Sequence, residues 1–359
     1  MAYQIIQPSN RPNEEYKILQ LLGEGGFGVC VKVEDQAGQV FAIKAIEKDA
    51  LGQNQNDVLN EMKIQNQLNH QNIVKLHDVF DDDDFVYFRM ELCSNQSLFE
   101  MVSNRGELTE PEVRFYMLQL LDAVEYMHNK NILHRDLKLE NIFISEDMDL
   151  KVGDFGLSIE LESTDQRFNY TCGTVSYMAP EVLDTQIGHS FEADVWSIDD
   201  RSTVVNQILN IGYDFPENTG VSNEAMDLIY LILNPEYDAR LTIPEIRRHS
   251  FFNGATPPGL PTYALTTAPN YNIITDPEVW NDDEDADTND DADINDDADA
   301  DANADEEEEM LIESCHYFLA RYVSIGKHVP LLLAVAETSW DKIGISTMAY
   351  ADDGDYYDN

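Results

Sequence analysis

Between Asn281 and Glu309 the chain reads NDDEDADTNDDADINDDADADANADEEEE, with no basic residue. Such a stretch cannot bury enough apolar surface to offset the entropy of ordering its backbone, so it is expected to be disordered. Its loose repetition of Asp, Ala and Asn has no structural period. Most of the core of the 359-residue chain must therefore come from the residues before it. Residues 310–359 regain apolar character in FLARYVSIGKHVPLLLAVAETSW but carry no motif, and their structure stays open. Their longest apolar run, VPLLLAVA, is far too short to span a bilayer.

The tract carries much of a net charge of −47, and the remainder is acidic as well. A chain of this sign should repel nucleic acid and anionic membranes. Basic proteins are the expected non-specific partners of the tract, although such tracts serve more often as solubilising linkers. The four cysteines, Cys30, Cys93, Cys172 and Cys315, are widely spaced and form no metal-binding pattern. That fits reduced thiols in the cytoplasm or nucleus. The N-terminal MAYQIIQPSNRPNEEY lacks the basic and apolar regions of a signal peptide.

Residues 1–15 read as a polar leader. From Tyr16, YKILQLLGEGGFGVCVKVEDQAGQVFAIKAI alternates as three strands with turns at GEGG and DQAG. A helix is expected over 56–68. Two further strands, IVKLHDVF and DFVYFRMEL, are joined by a solvated turn at Asp81–Asp84. After Ser97 the period becomes helical. In TEPEVRFYMLQLLDAVEYMHNK, Thr109 is the N-cap candidate and Pro111 lies in the first turn. Helical segments continue to Phe252, and residues 253–280 read as a linker punctuated by Pro and Gly.

GEGGFG places Gly23, Gly25 and Gly28 between two expected strands. A dinucleotide-binding turn would need a helix next, and a strand ending in Lys44 follows instead. Alone, the glycines fit a plain hairpin equally well. Lys44 can neutralise phosphates if an anion holds it, and Glu61 in the following helix is the candidate. Residues 133–141, LHRDLKLEN, then bring several reactive types together. Asp136 is suited to orient a hydroxyl or accept its proton. Lys138 can offset charge on a transferring phosphoryl group. Asn141 offers an amide oxygen to Mg²⁺, and Asp154 in GDFG offers a carboxylate. Together they are what phosphoryl transfer requires. His134 reads as a core residue beside Phe155.

In that order, with Ala179-Pro180-Glu181 following, these motifs resemble the signature set of eukaryotic protein kinases. The resemblance covers residues 16–252. It implies an α+β, two-lobed kinase fold: an antiparallel small lobe with one helix over 16–91, and a mostly helical lobe over 92–252. It also implies ATP and Mg²⁺ as cofactors and proteins as substrates. DLKLEN, with Lys138, resembles the serine/threonine class. Nucleotide contacts would come from Leu22, Gly23, Glu24, Gly25, Gly26, Phe27 and Gly28, from Cys30, Ala42 and Lys44, and from the hinge Glu91–Cys93. Met90 would be the gatekeeper and Phe143 the floor of the adenine pocket. Arg135 would pair an activation-loop anion, and Thr171 and Thr174 would be regulatory positions. Asp194 would tie down the catalytic-loop backbone, and Arg240 would be the buried partner of Glu181. Cys30, Phe143, EDMDLKVGDFGL, CGT and GHSFEADVWS resemble the polo-like family. DLKLEN is equally similar to the calmodulin-dependent and SNF1-like group, which stays an alternative.

The chain also departs from the pattern. After Ile198 the sequence passes directly to DDRSTVVNQILNIGYDFP. About fifteen residues of a buried helix and turn are missing, and a single lost buried Leu already costs about 2–5 kcal/mol. Two readings stand: a gene-model or splice defect in an ordinary kinase, or a real protein with impaired transfer, a pseudokinase or scaffold. Tyr170 occupies the place of the usual phosphorylated Thr, which shifts the expected phosphorylation to Thr171, facing Arg135. Val175 replaces the usual Pro. SNQSL replaces the basic run that follows the hinge in polo-like enzymes. Residues 253–359 are too short and acidic to hold that family's phosphopeptide-binding module.

Overall fold

The alternation that begins at Tyr16 folds as an antiparallel sheet. The structure, a computed structural model, describes residues 5–9, 11–25, 28–51, 55–198 and 221–269. The first sheet contains β1 (Ile5–Ile6), β2 (Tyr16–Gly25), β3 (Gly28–Glu34), β4 (Val40–Glu47), β5 (Leu76–Asp81) and β6 (Phe85–Met90). Its order is β1-β2-β3-β4-β6-β5. Because side chains alternate across a strand, the register decides what each face carries. Val31 pairs with Ile43 and Val33 with Phe41, and this face packs on Tyr16, Phe80 and Tyr87. Cys30 pairs with Lys44 and Lys32 with Ala42, which sends all four to the opposite face, toward the cleft between the lobes.

The described residues of 1–15 are more than a leader. Ile5 and Ile6 pair with Lys17 and Tyr16, and Ile6 is buried. The Ser9 amide donates to the Asp81 carbonyl at 3.0 Å. Arg11 forms a forked ion pair with Asp78. The segment thus runs from one margin of the sheet to the other and ties β2 to β5. At the acidic turn, Asp82 Oδ1 accepts from the amides of Asp84 (2.9 Å) and Phe85 (2.7 Å), closing the loop.

Short α1 (Lys48–Leu51) precedes α2 (Gln55–Gln67), which buries Ile64 and Glu61. The larger lobe begins with α3 (Leu98–Arg105) and α4 (Glu110–His128). At the start of α4, Glu112 accepts from the Thr109 amide at 2.9 Å and its hydroxyl at 2.8 Å, so the donors there are satisfied. Leu121, Ala123, Val124 and Met127 make α4 the axis of this lobe's core. Two small antiparallel ribbons follow: β7 (Ile132–Leu133) with β10 (Ile159–Glu160), and β8 (Ile142–Ile144) with β9 (Leu150–Val152). Then come α5 (Pro180–Leu183), α6 (Phe191–Ser197), α7 (Asn223–Ile232) and α8 (Ile243–Arg247).

The described start of the expected linker is docked. Leu260 and Ala264 are buried. Arg105, paired with Glu112, also donates to the Ala264 carbonyl at 2.8 Å. Arg114 donates to the carbonyls of Phe251 (2.7 Å) and Ala255 (3.1 Å). Ile198 is buried, and with Met117, Leu228, Ile229 and Phe251 it lines an apolar cavity of about 10 Å³. The proposed deletion after Ile198, the acidic tract and residues 310–359 lie outside the described residues.

Arg240 and Glu181 form an ion pair at 2.6 Å whose side chains are 0% and 1% exposed. Arg240 also donates to the carbonyls of Glu192 (2.6 Å) and Asn234 (2.9 Å). Removing one member strands the other charge in the core. Arg240→Met should therefore lower stability in urea unfolding by about 3–5 kcal/mol, while Arg240→Met with Glu181→Leu recovers most of it. Equal loss in both proteins would show that the unpaired charge is not the cause.

Candidate active site

A cleft of about 860 Å³ separates the lobes. Its roof is the polar face of β3 and β4, with Leu22, Gly23, Glu24 and Gly28 from the glycine-rich hairpin. Gly28 has φ +126°, and a Cβ there would collide with the Ala45 carbonyl, so the turn requires glycine. Gly25 ends β2, while Gly26 and Phe27 lie outside the described residues. Met90, Glu91 and Cys93 form the rear wall, and Phe143 lies on the opposite side. A Cβ on Gly153 would sit 2.8 Å from the Phe143 ring, so that glycine lets the ring settle against the backbone. Burial pushes the Cys30 thiol up to about 11 and the Cys93 thiol up to about 12. Both remain protonated at neutral pH and act as apolar wall.

Lys44 enters the cleft from β4. Its Nζ lies 2.7 Å from Glu61 Oε1 on α2 and 3.3 Å from Asp154 Oδ1. Burial works against the ammonium, but the two carboxylates outweigh it and raise its pKa. Burial likewise pushes the Glu61 carboxyl up against the pull of Lys44. Asp154 is also desolvated, yet Lys44 draws it below the usual carboxylate range. A charged lysine is thus held at the boundary between the lobes.

The loop carrying Asp136 is fixed from beneath. Asp194, on α6 and 1% exposed, accepts from the amides of His134 (2.9 Å) and Arg135 (2.8 Å) and from His128 Nε2 at 2.9 Å. His134 is buried 5.2 Å from the Phe155 ring, with Nε2 3.0 Å from the Gly153 carbonyl. This frame presents Asp136. Thr174 places its amide (2.8 Å) and hydroxyl (2.7 Å) on Oδ1. Asn141 donates to Oδ2 at 3.1 Å, and Lys138 lies 3.0 Å from it. Lys138 also donates to the Thr174 hydroxyl at 2.9 Å.

The donor set fits Mg²⁺ bound partly through substrate phosphates. Both amide hydrogens of Asn141 are committed to Asp136, which leaves its oxygen to meet a cation. Asn141 and Asp154 both line the cleft. Among the described residues there is no group of three or more His, Cys, Asp or Glu able to hold a metal alone.

Thr171 differs from its expected place. Its hydroxyl donates to the Val182 carbonyl at 3.3 Å, and Arg135 instead meets the Tyr170 hydroxyl. Two features of the site carried no signal in the sequence. Leu265, from the expected linker, lines the cleft because Arg105 anchors its turn. Lys151 pairs with hinge residue Glu91 at 2.5 Å, a contact set only by the folding of β9 beside the hinge.

A family model for the protein kinase domain matches residues 16–200. The cell cycle serine/threonine-protein kinase CDC5/MSD2 of Saccharomyces cerevisiae is 38% identical, over 73% of this chain and 40% of that protein. The probable serine/threonine-protein kinase PLK of Dictyostelium discoideum is 37% identical, over 76% of this chain and 30% of its own length. Serine/threonine-protein kinase PLK1 of Xenopus laevis is 36% identical, over 75% and 48%. The chain thus spans less than half the length of these relatives.

Burial alone would raise the Asp194 carboxyl, but its bonds from His128 and the His134 amide bring it below its ordinary 3.8. Its contribution to stability is therefore complete above that pH and is lost as pH falls through the lower folded value. Asp194→Asn should be less stable at pH 7 by about 1.5–3 kcal/mol. In urea unfolding at a series of pH values, the gap to the unaltered protein should narrow below pH 3.8. A gap constant from pH 7 downward would remove the carboxylate's charge from this account.

Proposed function

The chain belongs to the protein kinase family, with polo-like kinases among its relatives, and on that premise we propose that it transfers the γ-phosphoryl group of ATP to serine and threonine hydroxyls of proteins. One observation carries the reading furthest. Asp136 is oriented on both oxygens by Thr174, Asn141 and Lys138, beside a cleft holding the Lys44–Glu61–Asp154 cluster. Residue types alone would also suit a nucleotide-binding scaffold. A carboxylate this firmly positioned for a hydroxyl favours transfer.

In this reading the substrate hydroxyl docks against Asp136, which orients its lone pair toward the γ-phosphorus and takes up its proton. The new bond joins the substrate oxygen to phosphorus, and the bond from phosphorus to the β,γ-bridging oxygen breaks. Lys138 sits on the side of Asp136 where charge spreads over the transferring group. Lys44 binds the remaining phosphates, and Glu61 keeps its ammonium in place. Bound through Asn141 and Asp154, Mg²⁺ would neutralise phosphate charge. The catalytic work is positioning and electrostatics, with no covalent intermediate on the protein.

A cell-cycle role follows from the name of the yeast relative. We place the protein inside the cell, where Cys30, Cys93 and Cys172 remain free thiols. Among the described residues no helix is long and apolar enough to cross a membrane.

The test is transfer from γ-labelled ATP with Mg²⁺ to casein and to a mixed histone substrate, followed by phosphoamino-acid analysis. Label should appear on serine and threonine. Asp136→Ala should reduce the rate by about 10²–10⁴ while the protein still binds nucleotide. Equal incorporation by the two proteins would refute the assignment.

A further inference from the structure

Arg135 lies next to Asp136 and has φ +66°, a conformation that non-glycine residues hold only under constraint. Its guanidinium has no carboxylate partner among the described residues, nor does it face Thr171. It is half-buried and meets neutral groups. Nε donates to the Leu157 carbonyl at 2.7 Å, and Nη1 donates to the Tyr170 hydroxyl. Its Cζ lies 5.2 Å from the Tyr170 ring centroid and 5.5 Å from that of Phe168. His189 closes the remaining side, with its ring 6.0 Å from each of those aromatics. Phe168 and His189 exchange backbone hydrogen bonds of 2.9 and 3.0 Å. Burial, and then the charge of Arg135, hold His189 down to about 4. It is therefore neutral at pH 7 and does not repel the guanidinium.

The same contacts reach the Asp136 carboxylate. Gly173 (φ +99°) packs so tightly that a Cβ would lie 2.5 Å from the Arg135 carbonyl. The next residue, Thr174, places two hydrogen bonds on Asp136. Fixing Phe168 and Tyr170 on Arg135 therefore fixes the chain that orients Asp136.

We propose that Tyr170, with Phe168, holds the activation segment on Arg135 by ring stacking and a neutral hydrogen bond, so that the site assembles without phosphorylation of that segment. Tyr170 is a positioning residue acting through Arg135 and Thr174. A guanidinium is weakly hydrated and binds aromatic faces well, so two rings and a hydroxyl can take the place of an anion on Arg135, even with Tyr170 itself 45% exposed. The Thr171 hydroxyl, bonded to the Val182 carbonyl at 3.3 Å, would have to leave that contact to carry a phosphate toward Arg135. The inference rests on the phosphoryl-transfer reading of the site, but its structural half can be measured without activity.

The full chain is treated with a broad-specificity protein phosphatase, and loss of phosphate is checked by mass spectrometry. Transfer rates and amide hydrogen exchange over residues 166–177 are then measured for the unaltered protein, Tyr170→Ala and Tyr170→Phe. The dephosphorylated unaltered protein should keep its rate within about twofold. Tyr170→Ala should lose about tenfold in kcat with KM for ATP unchanged, and its segment should exchange about tenfold faster. Tyr170→Phe, which keeps the ring, should restore most of both. A tenfold loss on dephosphorylation, or unchanged exchange in Tyr170→Ala, would overturn the proposal. Absence of transfer in every protein would count against the kinase reading, and the exchange data would still decide whether the rings hold the segment.

Discussion

Asp194 accepts hydrogen bonds from the amides of His134 and Arg135, and the shape of the loop carrying Asp136 beyond them depends on that carboxylate. Arg135 sits at φ +66° and Asp154 at φ +58°, and such conformations cost about 1–3 kcal/mol each. They persist only where surrounding bonds over-determine them. At Arg135, Asp194 supplies those bonds from the interior of the larger lobe, and His128 at the end of α4 supports it from the other side. The lobe's central helix and the short α6 therefore meet at the point that sets the direction of Asp136.

From that fixed loop two branches extend. One runs through Asp136 to Thr174 and the activation segment, joined by hydrogen bonds of 2.7–2.8 Å. The other runs through Asp154 to Lys44 and Glu61, and couples the larger lobe to the sheet and α2. In the proposed reaction the first branch sets the carboxylate that would orient the hydroxyl, the second the cation that would bind phosphate. The strand register carries the second branch across the small lobe. Because Cys30 pairs with Lys44, both face the cleft, while their neighbours Val31 and Ile43 face the core. A shift of one residue would bury the lysine and expose the core.

Much of this was legible in the sequence, for specific reasons. The run from Tyr16 alternates well enough to be read as strands, and Thr109 with Pro111 marks the start of α4. The motif residues could be named because phosphoryl transfer demands particular groups. Other features gave no such signal. Ile5–Ile6 is a strand only because the margin of β2 is there to receive it. Residues 253–265 look like free linker, yet buried arginines on α3 and α4 hold their carbonyls. Thr171 and Tyr170 are neighbours, and spacing could not decide which of them turns toward Arg135.

By itself the sequence determined the reactive residue types and the succession of a strand-rich and a helix-rich region. These follow from local periodicity and from the chemistry of residue types. Only the tertiary structure decided which groups meet. The Lys44–Asp154 contact joins residues 110 positions apart, and the Arg105–Ala264 contact joins residues 159 apart. At such separations a contact depends on the packing of whole elements, which no local pattern records. The pairing of Arg135 with a tyrosine ring, where the motif order suggested an anion, is a choice of the same kind.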